Sequence, residues 1–173
     1  MSKNRYADLT PAVGDAAPSF SLEAVLADGS RGRVALVDLL REVEETDGRG
    51  LVVYFYPKAG TPGCTQEACD FRDSLEPLRE AGFAVVGISP DGMDAIEKFH
   101  KAEALTFPLA SDPDHAVAEA FNAYGKHNVL GRLKTSVIRS TFVVAADGTL
   151  THVMRNVRAA GHVSRLIAEL DAA

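Results

Sequence analysis

Apolar positions along this chain recur with two different periods. "LVVYFY" (Leu51 to Tyr56) is rich in β-branched and aromatic residues with no polar alternation, which predicts a strand buried on both faces. "FAVVGIS" (Phe83 to Ser89) predicts a second buried strand. "SFSLE" (Ser19 to Glu23) alternates and predicts a short strand, and "RVALVDLL" (Arg33 to Leu40) is read as another. Helical spacing appears elsewhere. Leu75 and Leu78 fall within a helix expected over Cys64 to Ala81, stopped by Gly82 and kinked or cut short at Pro77. Met93, Ile96 and Phe99 mark an amphipathic helix over Gly92 to Ala104. A shorter helix is expected over Asp114 to Gly125, and a final one over Gly161 to Ala173. Two strand-like runs flank Asp147-Gly148, a strong turn pair, and predict a hairpin. Met1 to Asp15 is polar and aperiodic, an expected loose start, and Arg41 to Gly50 reads as a surface loop or short helix.

Strand–helix–strand order implies a parallel pair joined by a right-handed crossover. The late hairpin adds antiparallel strands. The expected class is α/β, a mixed central sheet with helices on both faces. No internal repeat or low-complexity segment interrupts it.

Bulk properties narrow the function. A length of 173 residues fits one domain, 1–173, with one core, and 46% hydrophobic residues indicate a globular chain. A net charge of −6 argues against general nucleic-acid binding. The longest apolar run is about six residues, where a membrane span needs roughly 20. The amino-terminal segment has no signal-like apolar stretch, so a cytosolic location is expected, with thiols kept reduced. Charge is uneven. Ala120 to Ala146 holds Lys126, Arg132, Lys134 and Arg139 and no acid, either a solvated loop or a local positive field near an anionic centre. Asp38 to Asp47 carries five acids, read as an exposed face.

The two cysteines, Cys64 and Cys69, carry the candidate chemistry. Cys64 follows a buried strand and a Pro/Gly-rich turn and opens a helix, with Thr61 as its cap and Pro62 at the first helical position. Unpaired N–H groups and the helix macrodipole favour an anion there, and the thiolate is the reactive form of cysteine. In an intact helix, residues i and i+5 lie about 140° apart around the axis, with Cα atoms about 8–9 Å apart. A disulfide requires about 4.4–6.8 Å. Either the two never pair, or pairing unwinds the start of the helix, which Gly63 makes easier. Other readings stay open from the residues alone. Cys69 could be a buried structural cysteine. A zinc site needs about four ligands, and the five histidines (His100, His115, His127, His152, His162) are scattered and read as surface or lightly buried. A dithiol exchanger of the thioredoxin type has two residues between its cysteines, and this chain has four.

The segment "FYPKAGTPGCTQEAC" resembles the peroxiredoxin active-site motif, with Pro57, Thr61 and Cys64 at the motif's spacing. Its second cysteine resembles the bacterioferritin-comigratory, or peroxiredoxin Q, branch. The likeness extends through "VGDAAPSFSL", "GFAVVGISPDG", "FPLASDPDHAVAEAFNAYG" and "IRSTFVVAADGTLTHV". It departs at "REVEETDGRG", which looks like an insertion. The resemblance implies a thioredoxin fold and a thiol peroxidase that needs no metal or organic cofactor. It implies Cys64 as peroxidatic cysteine and Cys69 as resolving cysteine. Thr61 would hydrogen-bond thiolate and peroxide, Pro57 would shield the thiolate, and Arg139 would supply a cation. The implied partners are a hydroperoxide and thioredoxin or a similar dithiol, with a monomer as the simplest assembly. A peroxide sensor of the same fold, without turnover, is the alternative.

Overall fold

The computed structural model describes residues 5–171. Strands β1 (Ser21–Val25) and β2 (Arg31–Ala35) form an antiparallel ribbon, and helix α1 (Leu36–Glu45) follows at once. Next come β3 (Gly50–Phe55), α2 (Pro62–Asp73), α3 (Leu75–Glu80), β4 (Phe83–Ser89), α4 (Met93–Ala102) and β5 (Leu109–Ser111). The chain continues with α5 (Ala116–Ala120), β6 (Tyr124–Val129), β7 (Arg132–Val137), β8 (Ser140–Ala145), β9 (Leu150–Arg155) and α6 (His162–Asp171). Seven strands form a mixed sheet in the order β2-β1-β5-β4-β3-β8-β9, and β6 and β7 form a separate two-stranded sheet.

β3 is an inner strand of the main sheet, parallel to β4 and antiparallel to β8. Its side chains alternate between two cores, as strand geometry requires. Val52, Tyr54 and Tyr56 pack with Cys64, Phe71, Leu75, Leu78, Ile96, Phe99, Val163 and Leu166 from α2, α3, α4 and α6. Leu51, Val53 and Phe55 pack on the other face with Leu36, Leu39, Val43, Ala118 and Phe121. Helices therefore cover both faces, as the pattern predicts.

Several boundaries differ from the sequence reading. The strand expected over Arg33 to Leu40 is the end of β2 followed by α1, because Leu36, Leu39 and Val43 form one buried helical face. The apparent insertion at Arg41 to Gly50 is the rest of α1 and a turn with Asp47 at φ +52°. The five acids of this stretch are all exposed, as read. The helix expected over Cys64 to Ala81 breaks at Ser74, and Pro77 lies in the first turn of α3, where its missing N–H costs nothing. The helix expected over Asp114 to Gly125 shortens to α5, and Gly125 lies in β6. The Asp147-Gly148 hairpin forms, with Gly148 at φ +91° and Thr149 N–H donating to Asp147 Oδ1 at 2.9 Å.

The described part of the expected loose start is docked. Arg155 donates to Pro11 O at 2.8 Å, Gly14 N–H donates to Leu150 O at 2.8 Å, and Tyr6 is buried. Residues 1–4 and 172–173, which belong to the expected loose start and final helix, lie outside the described residues. His100, His127 and His162 are buried rather than superficial. Among the described residues no helix is long and apolar enough to cross a membrane.

Candidate active site

Tyr56 N–H still donates to Ile88 O at 3.0 Å, and the chain then leaves the sheet through Pro57, Lys58, Ala59 and Gly60. Gly60 turns the chain at φ +80°, a conformation glycine adopts without steric cost. Asp91, just past β4, fixes this turn. Its Oδ2 accepts from Ala59 N–H at 2.7 Å and from the Ser89 hydroxyl at 2.8 Å. The Ser111 hydroxyl in turn donates to Asp91 O at 2.6 Å. The loop is thus tied to the ends of two neighbouring strands.

Helix α2 starts as the sequence predicts, with Thr61 in extended conformation at the N-cap and Pro62 first in the helix. Thr65 N–H donates to Thr61 O at 2.9 Å and closes the first turn. Cys64 falls inside that turn, where backbone N–H groups lack intrahelical partners. The Thr61 hydroxyl does not cap the helix, nor does it bond Cys64. It donates to Lys58 O at 2.7 Å, which leaves its oxygen lone pairs as acceptors. Pro57 is half-buried beside this turn, and Cys64 itself is 1% exposed.

Arg139 reaches Cys64 through sheet register. Phe55 pairs with Ser140 across β3 and β8, so the residue before Ser140 lies level with the chain leaving β3. Its Nη2 donates to Cys64 Sγ at 3.3 Å, and its Nη1 donates to Glu67 Oε1 at 2.6 Å. Gly63 makes room for this approach, since a Cβ there would meet Arg139 Nη2 at 3.2 Å. Lys126, Arg132 and Lys134 are exposed on the β6–β7 hairpin, so the basic stretch is mostly a solvated face and only Arg139 enters the site.

Glu67 is the partner that the sequence reading missed. It is completely buried, and its second oxygen, Oε2, has no hydrogen-bond partner among the described residues. Burial pushes its carboxyl up to about 7, although Arg139 pulls the other way. Burial works against the Arg139 charge, yet Glu67 and Cys64 hold the guanidinium above its ordinary range. A signal for Glu67 did exist. Cys64, Ala68, Phe71 and Leu75 are buried along one face, and Glu67 breaks that face with an acid. His162, whose ring meets Phe71 edge-on, is buried, hydrogen-bonded with Thr141 Oγ1 at 2.8 Å, and pushed down to about 4 by burial and by Arg165 and Arg139. It is neutral at physiological pH.

Cys69 is half-buried one and a half turns along an unbroken α2, and both cysteines are free thiols. Its Sγ donates to Glu103 Oε2 at 3.3 Å, and Arg72 Nη1 donates to Glu103 O at 2.6 Å. The site therefore combines a buried thiol at a helix start, a guanidinium touching its sulfur, and a second thiol held apart on the same helix.

The AhpC/TSA family model matches residues 13–153. A putative peroxiredoxin of Mycobacterium tuberculosis is 49% identical over 163 residues, covering 94% of this chain and 96% of its own. Peroxiredoxin Bcp of Escherichia coli is 39% identical over 149 residues, covering 86% of this chain and 88% of its own. Among solved structures, the bacterioferritin comigratory protein of Xanthomonas campestris matches with a TM-score of 0.70 at 34% identity, covering 87% of this chain and 90% of its own. That structure concerns the X. campestris protein's alkyl peroxide reduction activity.

Proposed function

Because this chain belongs to the AhpC/TSA family, as a thiol peroxidase of the Bcp and peroxiredoxin Q kind with a thioredoxin fold, we propose that its cycle runs through Cys64 and Cys69. The Cys64 thiolate attacks the terminal oxygen of a hydroperoxide. The O–O bond breaks, the alkoxide or hydroxide leaves and takes a proton from solvent, and Cys64 becomes a sulfenic acid. The first turns of α2 then unwind, Cys69 attacks the sulfenic sulfur, and a Cys64–Cys69 disulfide forms with loss of water. Thioredoxin or a similar dithiol reduces it by exchange. Hydrogen peroxide and organic hydroperoxides are both substrates in this reading. The disulfide forms within one chain, so a monomer in the reducing cytosol suffices.

The observation that carries this reading is the Arg139 guanidinium, fixed on Cys64 Sγ at 3.3 Å and on Glu67 at 2.6 Å. Ionisation alone is too small an effect. An ordinary thiol near 8.5 is about 3% ionised at pH 7, so complete ionisation gains about 30-fold, or about 2 kcal/mol. Enzymes accelerate by about a millionfold or more. The remainder must come from placing the O–O bond and stabilising charge on the leaving oxygen. Arg139 and the free N–H groups of the first turn are the donors for that task. The Thr61 oxygen accepts a hydrogen bond from the peroxide, and Pro57 keeps water from the sulfur.

Steady-state peroxide consumption with excess thioredoxin, thioredoxin reductase and NADPH tests the proposal. The expected result is many turnovers per Cys64. Consumption that stops after one equivalent would make the protein a sensor. Reduction of protein disulfides in the absence of peroxide would make it an exchanger.

A further inference from the structure

Cys69 has a seat of its own, built by a different helix. α4 ends with Glu103 at its C-cap and Ala104 in the left-handed region at φ +49°. Ala104 N–H donates to Lys101 O at 3.2 Å, and Leu105 N–H donates to His100 O at 3.0 Å. This pair of bonds is the Schellman ending, which fixes where the Glu103 side chain starts. From there the carboxylate accepts the Cys69 S–H at 3.3 Å, while the Glu103 carbonyl accepts from Arg72 at 2.6 Å. Cys69 and Arg72 are three residues apart and share one face of α2. The second half of α2 is therefore clasped to α4 at two adjacent points, and Cys69 has to leave that clasp before it can reach Cys64. A cleft of about 270 Å³ beside the clasp is lined by Thr65, Phe99 and Glu103 among others, so Glu103 lies at an open edge.

We propose that Glu103 is a latch on the resolving cysteine: its carboxylate holds Cys69 as a docked thiol while α2 is closed, and Cys69 becomes a nucleophile only after leaving that seat. The proposal rests on the reading of Cys69 as the resolving cysteine. A carboxylate that accepts an S–H bond favours the thiol, because a thiolate in the same place would meet like charge. Burial, and then Glu103, push the Cys69 thiol up, while Arg72 pulls it down and Asp73 adds to the rise. Once α2 opens, the S–H···O bond breaks and the thiol loses its proton to solvent. The thiolate attacks the sulfenic sulfur of Cys64. The S–S bond forms, the S–O bond breaks, and the departing hydroxide takes up the equivalent of the proton Cys69 released and leaves as water. The Cys69 sulfur is oxidised, the sulfenic sulfur is reduced, and no outside oxidant is required. The latch thus sets how long the sulfenic acid persists, and with it the chance that a second peroxide carries Cys64 to sulfinic acid.

Glu103→Gln keeps the shape and removes the charge. After one equivalent of peroxide, samples are quenched over time with a cyclic 1,3-dione that captures sulfenic acid, and intact mass follows its conversion to disulfide. The sulfenic species should decay about fivefold faster in Glu103→Gln, the difference between a charged and a neutral acceptor for the Cys69 S–H. Under excess peroxide the variant should accumulate less sulfinic acid. A second readout uses Cys64→Ser, in which alkylation reports only Cys69. Adding Glu103→Gln should move the alkylation profile to lower pH, an effect that a purely structural role of Glu103 would not produce. Slower disulfide formation in Glu103→Gln would make Glu103 a base and overturn the latch, and so would an unchanged lifetime. If the wild type never forms the disulfide, the assignment of Cys69 itself fails and the latch falls with it.

Discussion

Glu67→Gln is the substitution whose consequence follows most directly from the site. Glu67 is fully buried, one oxygen meets Arg139 at 2.6 Å, and the other has no partner among the described residues. The Arg139 side chain is itself only 15% exposed. Half of the carboxylate is therefore desolvated without compensation, which explains why burial outweighs the cation and pushes the carboxyl up to about 7. In the unfolded chain a glutamate titrates near 4.3. Between these values the folded protein keeps a proton that the unfolded chain has lost. The stability this proton confers is complete below about pH 4 and gone by about pH 7, so wild-type stability falls as pH rises through that window. The total is on the order of 4 kcal/mol, since each pH unit of separation is worth about 1.4 kcal/mol. Glutamine has no such titration. Urea unfolding of reduced wild type and Glu67→Gln from pH 4 to 8 isolates the effect, because contributions from other groups cancel in the difference. The wild-type midpoint should fall relative to the variant by about 1.5 M urea across the window, then stay level above pH 7. A difference that is flat, or that grows in favour of wild type with rising pH, would refute the reasoning. It would mean that Arg139 keeps Glu67 ionised throughout.

Other substitutions bear on the same site. Arg139→Ala should lower the rate of peroxide reduction by about 10²- to 10³-fold, and raising the pH until thiols are fully ionised should not restore it. Recovery of wild-type rates at high pH would show that Arg139 serves only to ionise the thiol. Asp91→Ala frees Ala59 N–H and the Ser89 hydroxyl, loosening the turn before Cys64. Amide exchange at Ala59 and Gly60 should quicken by about tenfold, and exchange at wild-type rates would remove Asp91 as the anchor. Phe71→Ala deletes a fully buried ring stacked on Tyr54 at 4.5 Å and should cost about 3–5 kcal/mol in urea unfolding. A loss below about 1 kcal/mol would mean that this core repacks around the gap.

Most of the frame was legible along the chain because it depends on local periodicity. The apolar run Leu51 to Tyr56 is buried throughout and supplies five of the six residues of β3, and the Asp147-Gly148 turn joins two strands. The missed elements are those whose conformation is decided elsewhere. β5 is three residues long and exists through its pairing with β4 and β1. The β6–β7 hairpin turns through Leu130 at φ +52° and Gly131 at φ +83°, and most of its side chains face solvent, so no apolar period marked it. α1 begins at Ala35 without a side-chain cap, which hid its start inside a strand-like run. The site divides the same way. The helix start at Cys64 is written in Thr61, Pro62 and Gly63. The meeting of Arg139 with Cys64 needs the Phe55–Ser140 register, and the seat of Cys69 needs the end of α4. Neither can be read from spacing. The direction of the Thr61 hydroxyl is likewise set by the Lys58 carbonyl in the folded turn.

In the proposed cycle Cys64 takes the peroxide oxygen and Cys69 removes it. Intact mass after one equivalent of hydrogen peroxide, on reduced wild type, Cys64→Ser and Cys69→Ser, addresses it directly. Wild type should lose two hydrogens, Cys69→Ser should gain one oxygen, and Cys64→Ser should not change. Oxidation of Cys64→Ser to the extent of wild type would contradict it and reverse the two roles.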